Sequence, residues 1–342
     1  MSDPFQMLPE WAEQSAVMLA WPHERSDWKP WLTDIEQDYV ALASAIADSA
    51  NPLILCRDHH HQARIEQLIG DCCQHPPQFY IRSYNDTWCR DFGPLALGHR
   101  NDLVLMDFRF NGWGDKYNAE LDNAINSSLK AVWQVPMRSV DFELEGGSIE
   151  CDGLGTLLTT EHCLLDSNRN QHFDRNTIEH LIKDKLGVSR VLWLSAGALL
   201  GDDTDSHIDN LARFCDPRTI AFASCNNPED PHFPHLQEME RQLKKFRQLD
   251  GSPYILVPIE IPAPQLDESG QRLPGSYVNF LILNQQIIVP VFGCEQDEAA
   301  LTSLRRCFPD KKIRPVRGNN LIRQFGGPHC ATMQLPKGVI AL

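Results

Sequence analysis

Short apolar runs, taken in pairs across a turn, recur along most of this chain. Residues 94–97 and 103–108 flank Gly98-His99-Arg100-Asn101-Asp102, the pattern of a β-hairpin. The same pattern returns at 149–151 and 155–160 around Asp152-Gly153, and at 211–215 and 219–224 around Asp216-Pro217-Arg218. It returns again at 280–283 and 287–292 around Asn284-Gln285, and last at 331–335 and 339–342 around Pro336-Lys337-Gly338. Between the hairpins the apolar period lengthens, which predicts helices over 174–186, 232–249 and 295–307.

The N-terminal part fits the same alphabet. Residues 8–23 predict a short strand stopped by Pro22. Over 33–50, Ile35, Tyr39, Leu42, Ala43 and Ile46 mark one helical face, with Thr33 or Asp34 as cap. Residues 52–56 predict a buried strand, and Asp58-His59-His60-His61 opens a helix to about Leu68. Successive helical residues point in different directions, so the His triplet reads as a surface helix start rather than a metal site. Residues 258–274 are Pro-rich and predict a long loop, a lid or simple padding.

Each hairpin opens on a polar or reactive residue: Asp91, Glu145, His207 with Asp209, Asn279 and Cys330. This is a repeat of architecture without a repeat of sequence. No Gly/Ser-rich linker separates the units, so residues 1–342 read as one closed α/β domain. If equivalent strands converge on one axis, those openings meet in one pocket.

Composition narrows the partners. With 46 Asp+Glu against 31 Lys+Arg and a net charge of −15, the chain lacks the basic surface that nucleic acid or an anionic membrane requires. The charge suits a cationic ligand and equally suits plain solubility. Met1-Ser2-Asp3-Pro4-Phe5 does not read as a secretory signal, and no run is long enough for a membrane span. Eleven scattered cysteines, among them the adjacent Cys72-Cys73 and no C-x-x-C, indicate free thiols in a reducing cytoplasm.

The densest chemistry lies in Gly201-Asp202-Asp203-Thr204-Asp205-Ser206-His207-Ile208-Asp209-Asn210. If that stretch is extended, Asp203, Asp205, His207 and Asp209 share one face. Acids so crowded call for a positive partner: a metal, an Arg or Lys, or a cationic substrate. Ligands drawn from one strand lie roughly 6.5–7 Å apart, too far to surround one ion. The repeat instead groups His207 and Asp209 with the other openings and leaves Asp202, Asp203 and Asp205 in the preceding loop.

Taken singly, each opening residue has a plain structural reading: a buried cysteine, a turn acid, a core amide. Taken together they suit a guanidinium, which is planar, cationic and rich in donors. Asp91 and Asp209 can bind it from two sides. Cys330 can attack its carbon, His207 can protonate departing ammonia and then activate water, and Glu145 can orient His207. A thiol beside carboxylates has a raised pKa, so the substrate's charge would help form the thiolate.

Five ordered motifs carry a resemblance to a known family. They are Asn85-Asp86-Thr87-Trp88-Cys89-Arg90-Asp91-Phe92-Gly93-Pro94, Glu145-Gly146-Gly147-Ser148, Gly201 through Asp209, Tyr277-Val278-Asn279-Phe280, and Gly326-Gly327-Pro328-His329-Cys330-Ala331-Thr332-Met333-Gln334. Leu8-Pro9-Glu10-Trp11 and Ala20-Trp21-Pro22 join them. Over essentially its whole length the chain resembles the agmatine deiminases, guanidino-group-modifying enzymes related to bacterial and animal peptidyl-arginine deiminases. The resemblance implies a five-bladed α/β propeller, the pentein fold, with its site in the central channel. It implies a nucleophile at Cys330, an acid/base at His207, guanidinium carboxylates at Asp91 and Asp209, and an active-site acid at Glu145. It places a pocket aromatic at Trp88 and a polar pocket position at Asn279. It further implies no metal or organic cofactor, and homodimers. The nucleophile motif departs from the family's Gly-Gly-Gly-Asn-Ile-His-Cys: here it is Phe325-Gly326-Gly327-Pro328-His329-Cys330. That change touches the pocket wall, and with it the choice among agmatine, free arginine and peptidyl-arginine. Two readings of other classes stand beside the deiminase: a metal-dependent hydrolase built on Asp203–His207, and a non-catalytic binding module.

Overall fold

The computed structural model describes residues 5–70 and 74–341. The adjacent Cys72-Cys73 pair lies outside the described residues. Seventeen strands, numbered in chain order, form five small sheets. β1 (Gln6–Met7) edges the second sheet, and β2 (Gln14–Ala20), β3 (Asn51–Cys56) and β4 (Gln78–Ile81) belong to the first. β5 (Leu95–His99), β6 (Asp102–Arg109) and β7 (Met137–Glu143) complete the second. β8 (Ile149–Cys151), β9 (Thr156–Thr160) and β10 (Arg190–Leu194) form the third; β11 (Ala212–Asp216), β12 (Thr219–Ser224) and β13 (Ile255–Glu260) form the fourth. β14 (Leu281–Ile282), β15 (Gln286–Val291) and β16 (Lys312–Arg317) form the fifth, and β17 (Thr332–Pro336) returns to the first.

Each sheet is built the same way. An antiparallel pair is followed by a crossover and a third strand parallel to the second. A parallel return needs a long connection, usually a helix. Leu32–Ala47, Arg175–Leu186, Phe233–Leu243 and Gln296–Cys307 supply four of them, and short helical turns between Gly112 and Ser128 supply the other. The unit is therefore strand, strand, helix, strand, and the molecule is a five-bladed α/β propeller. Four of the five predicted hairpins are inner strand pairs. Of the outer third strands, β3 was predicted, being buried from Pro52 to Cys56; β7, β10, β13 and β16 were not legible in the sequence, because they are only partly covered. β16, for example, alternates exposed Lys312, Arg314 and Arg317 with buried Val316.

The first blade corrects the predicted last hairpin. β17 does not pair with 339–342; it pairs antiparallel with β2 from the other end of the chain. β2 is buried at every position, so this pairing closes the ring with apolar contact as well as hydrogen bonds. Near the C-terminus Ile340 makes a single bridge to Trp133 instead.

Other expectations shift in detail. Ile35, Tyr39, Leu42, Ala43 and Ile46 form the buried face of Leu32–Ala47. Neither Thr33 nor Asp34 caps it: the turn Lys29–Trp31 leads in, and Trp31 stands at the cap with no side-chain bond. Asp58 does cap His59–Ile69, accepting from the His61 amide at 2.8 Å. His61 turns in toward the Pro22 carbonyl at 3.2 Å, while His59 and His60 remain exposed. Pro258 lies within β13, so the Pro-rich loop starts after Glu260. Among the described residues, no helix is long and apolar enough to cross a membrane.

Candidate active site

The segment before β11 is not extended. Asp205 and Ser206 have φ of 65° and 66°, and Ile208–Asn210 is a 3-10 turn. A positive φ reverses the chain, so the four side chains cannot share one face. Asp203 accepts from the Tyr117 hydroxyl at 2.8 Å. Asp205 meets Lys116 at 2.7 Å and Arg169 at 2.8 Å. Asp202 holds the loop itself, accepting from the Thr204 hydroxyl and the Ser206 amide, each at 2.7 Å. The single-strand metal grouping therefore does not form, and part of the positive partner is Lys116 and Arg169.

His207 and Asp209 turn the other way and meet the other blade openings. Gly146–Ser148 packs on both Cys89–Phe92 and Ile208–Asn210, and Cys89–Phe92 also packs on β17. This brings Asp91, Glu145, His207, Asp209 and Cys330 together, all of them buried. The Cys330 thiol lies 3.2 Å from Asp209 Oδ2. His207 Nδ1 is 3.6 Å from Asp91 Oδ1. Gly147 lies among them: a Cβ there would come within 2.7 Å of His207 Nδ1, 2.8 Å of Asp91 Oδ1 and 3.1 Å of Asp209 Oδ2.

Each acid is oriented by fixed donors. Asp91 accepts from Trp113 Nε1 at 2.9 Å and from the Gly147 amide at 2.9 Å. Glu145 Oε1 accepts from Arg169 Nε at 2.7 Å. Asp209 Oδ2 is hydrogen-bonded to His329 Nδ1 at 2.8 Å. Left over are both ring nitrogens of His207, Glu145 Oε2 and Asp209 Oδ1, buried and without a protein partner. Buried polar atoms are normally satisfied, so these atoms have hydrogen-bonding capacity to spare, with the His207 ring beside the Cys163 thiol and Asp91.

The electrostatics follow from burial and proximity. Burial pushes the Asp91 carboxyl up to about 6; His207 opposes this, and Asp209 and Glu145 add to it. Burial likewise works to raise Asp209, yet His329 and His207 hold it below the usual carboxylate range. Burial disfavours a proton on His207, but Asp91, Cys163 and Glu145 outweigh that and raise its pKa well above the ordinary imidazole value. The Cys330 thiol is pushed well up by burial, then by Asp209 and Asp91. With no ligand in place it is a thiol.

A cavity of about 290 Å³ ends on Cys330 and Asp91. Trp88 and Trp113 line it, and Asp27, Asp86 and Asp203 sit along its wall. Burial raises Asp86 and Asp203 to about 6 each. Arg323 also lines it and is ion-paired with Glu268. Trp88 falls where the resemblance places it. Asn279 does not line the cavity. Its Nδ2 donates to Cys330 Sγ at 3.0 Å, and its Oδ1 accepts from the amides of His329 at 3.1 Å and Cys330 at 3.3 Å. It holds the loop that carries Cys330. Gly327 lets that loop approach, because a Cβ there would meet Asn279 Oδ1 at 2.4 Å.

Among the described residues, two groupings have donor atoms near enough for a metal: Glu145 with Cys163 and His207, and Glu10 with Glu150 and His329. The acids of the second are already paired with Arg213, and Glu10 also with Arg90.

A family model for Porphyromonas-type peptidyl-arginine deiminases matches residues 6–336. This chain belongs to that family. The agmatine deiminase of Pseudomonas syringae pv. tomato is 33% identical to it, covering 98% of this chain and 96% of the relative. Among solved structures of this fold, a C. jejuni agmatine deiminase variant with substrate bound is 38% identical, with a TM-score of 0.91 over 98% of this chain and 97% of that one. A Porphyromonas gingivalis protein described as a candidate arginine deiminase is 42% identical, with a TM-score of 0.93 over 98% and 100%.

Several residues of this family member's site give little or no sign in the sequence. Trp113 left a trace, since Gly112 and Gly114 flank it and it has φ 58°. Arg169 left none: it is an ordinary arginine in a loop, and only folding carries it to Glu145.

Proposed function

We propose that the chain is an agmatine deiminase, hydrolysing agmatine to N-carbamoylputrescine and ammonia. The observation that carries this is the Cys330 thiol and the Asp91 carboxyl at the end of an acid-lined cavity, with His207, Glu145 and Asp209 buried behind them outside its lining. A planar cation with several N–H donors answers that set. Asp91 and Asp209 take the guanidinium from two sides, and its charge offsets the carboxylates that disfavour the Cys330 thiolate. The thiol proton passes to solvent as substrate binds, and the thiolate adds to the guanidinium carbon. His207, protonated in the resting site, gives its proton to the departing nitrogen, and ammonia leaves a thiouronium on Cys330. Neutral His207 next takes a proton from water as the water adds to the same carbon. The adduct expels the thiolate, which regains a proton from solvent, and the ureido product departs. Glu145, held by Arg169, keeps His207 oriented. Trp88 flanks the alkyl chain, and Asn279 positions the thiol. The whole chain, 1–342, acts as one cytoplasmic catalytic domain.

Agmatine is favoured over free arginine by the wall of the cavity. Asp27, Asp86 and Asp203 suit a terminal ammonium and repel a carboxylate. The one cation among the lining residues, Arg323, is paired with Glu268.

The test is ureido product formation from agmatine, arginine and an arginyl peptide, with iodoacetamide, with EDTA, and in Cys330→Ser. Activity should be highest on agmatine, abolished by alkylation and by the substitution, and indifferent to EDTA. Wild-type turnover in Cys330→Ser would end the covalent mechanism. Zinc-restored loss with EDTA would favour a metal enzyme.

A further inference from the structure

His329 stands between two buried carboxylates. Its Nδ1 is 2.8 Å from Asp209 Oδ2 and its Nε2 is 2.6 Å from Glu10 Oε1. The ring has no exposed surface, so water cannot serve either nitrogen. A neutral imidazole has one N–H and one lone pair. In its neutral form, one nitrogen would point a lone pair at a carboxylate oxygen.

The surroundings decide where the protons lie. Apart from His329, Glu10 has donors about it: Arg90 at 3.0 Å, Gln334 Nε2 at 3.1 Å and Arg213. Against burial, Arg213 and Arg90 hold Glu10 well below the usual carboxylate range, so it is ionised and His329 Nε2 carries a hydrogen. The Nδ1–Oδ2 contact then holds one more proton, on His329 or on Asp209. On Asp209 it would neutralise the carboxylate proposed to bind guanidinium. On His329 it makes an ion pair.

Contact geometry favours His329. Glu150, beside Arg213 and the Phe214 amide at 3.1 Å, is pushed up to about 8 by burial, so the carboxylates that face the ring itself are Glu10 and Asp209. A proton on each ring nitrogen gives each of them a donor. Burial, then Arg213 and Arg90, pull the ring below the ordinary imidazole range; against that stand the two carboxylates in direct contact, one of which would face a bare lone pair on a neutral ring, and charge-assisted bonds at that distance outweigh guanidiniums further off.

We infer that His329 is a positioning residue, an imidazolium clamped between Glu10 and Asp209 that keeps Asp209 ionised and aimed beside Cys330. Glu10, at the start of the chain, thereby acts on the reaction through His329 without touching substrate. The inference rests on the deiminase reading only for its effect on catalysis. The protonation state is measured without turnover.

The experiment is nitrogen–proton correlation spectroscopy of the full chain with ¹⁵N-histidine, with His329 assigned by its loss in His329→Asn. Both ring nitrogens of His329 should be protonated and unchanged from about pH 6 to about pH 9. In Glu10→Gln the ring should titrate within that range. Above its new pKa, KM for agmatine should rise about tenfold while kcat changes less. A bare ring nitrogen on wild-type His329 at neutral pH overturns the inference, whether or not either variant folds. So does Glu10→Gln with the wild-type imidazole titration and an unchanged pH profile of KM. A failure of the deiminase reading would show separately, as turnover surviving in Cys330→Ser.

Discussion

Gly147→Ala tests the packing of the site with a single methyl group. Gly147 does not need a left-handed backbone, since its φ is not among the positive ones, so the substitution adds volume without backbone strain. The new Cβ would lie 2.7 Å from His207 Nδ1 and 2.8 Å from Asp91 Oδ1. Ordinary contact starts at 3.4 Å, so each group must retreat by about 0.6–0.7 Å. Neither can move freely. Asp91 is tied to Trp113 and to the Gly147 amide, and His207 has no exposed surface. Overpacking of this kind costs about 1–3 kcal/mol of stability. Misplacing reacting groups by about 1 Å costs on the order of a hundredfold in rate. A displacement somewhat under that predicts about a tenfold to hundredfold loss of kcat, with a smaller change in KM, because His207 acts on the chemical step. Steady-state ureido formation measures both constants, and a denaturant titration measures the stability. A Gly147→Ala enzyme with wild-type kcat and a wild-type unfolding midpoint would refute the close packing around Gly147, and with it the placement of His207 against Asp91.

The pH profile should have two limbs of defined sign. Asp91 must be ionised to bind guanidinium and titrates at about 6, so kcat/KM should fall as pH drops below about 6; activity that rises on acidification there contradicts the role. His207 must be protonated to release ammonia and its pKa is raised, so an alkaline limb should lie well above the ordinary imidazole range. Arg169→Met leaves Glu145 as an unpaired buried charge, since the guanidinium bonds Glu145 and has no exposed side-chain surface; it should cost about 3–5 kcal/mol, read from the urea midpoint. A chain beginning at Pro22 lacks β2, which pairs with both β17 and β3; it should show no cooperative thermal transition, and a wild-type melting curve would disprove the ring closure.

Much of this was legible in the linear chain, for a physical reason. The inner strands of each blade are covered on both faces, so they read as unbroken apolar runs such as Thr219–Ser224. The crossover helices carry a 3.6-residue stripe because one face is buried. Those two periods yielded five hairpins and their helices, and the positional equivalence of Asp91, Glu145, His207, Asn279 and Cys330 pointed to one pocket. Apart from β3, the outer strands gave no such signal. β13 and β16 are half solvated and contain Pro258 and Pro315, which an edge tolerates.

Tertiary structure alone decided the rest. The pairing of β2 with β17 joins segments more than three hundred residues apart, which no local period encodes. The positive φ at Asp205 and Ser206 split the acidic run, sending Asp205 to Lys116 and Arg169 and Asp209 to His329. Sequence fixes which groups are available, through side-chain chemistry and burial period. Which carboxylate meets which cation depends on distances of a few ångströms between blades, and those are set only when the ring closes.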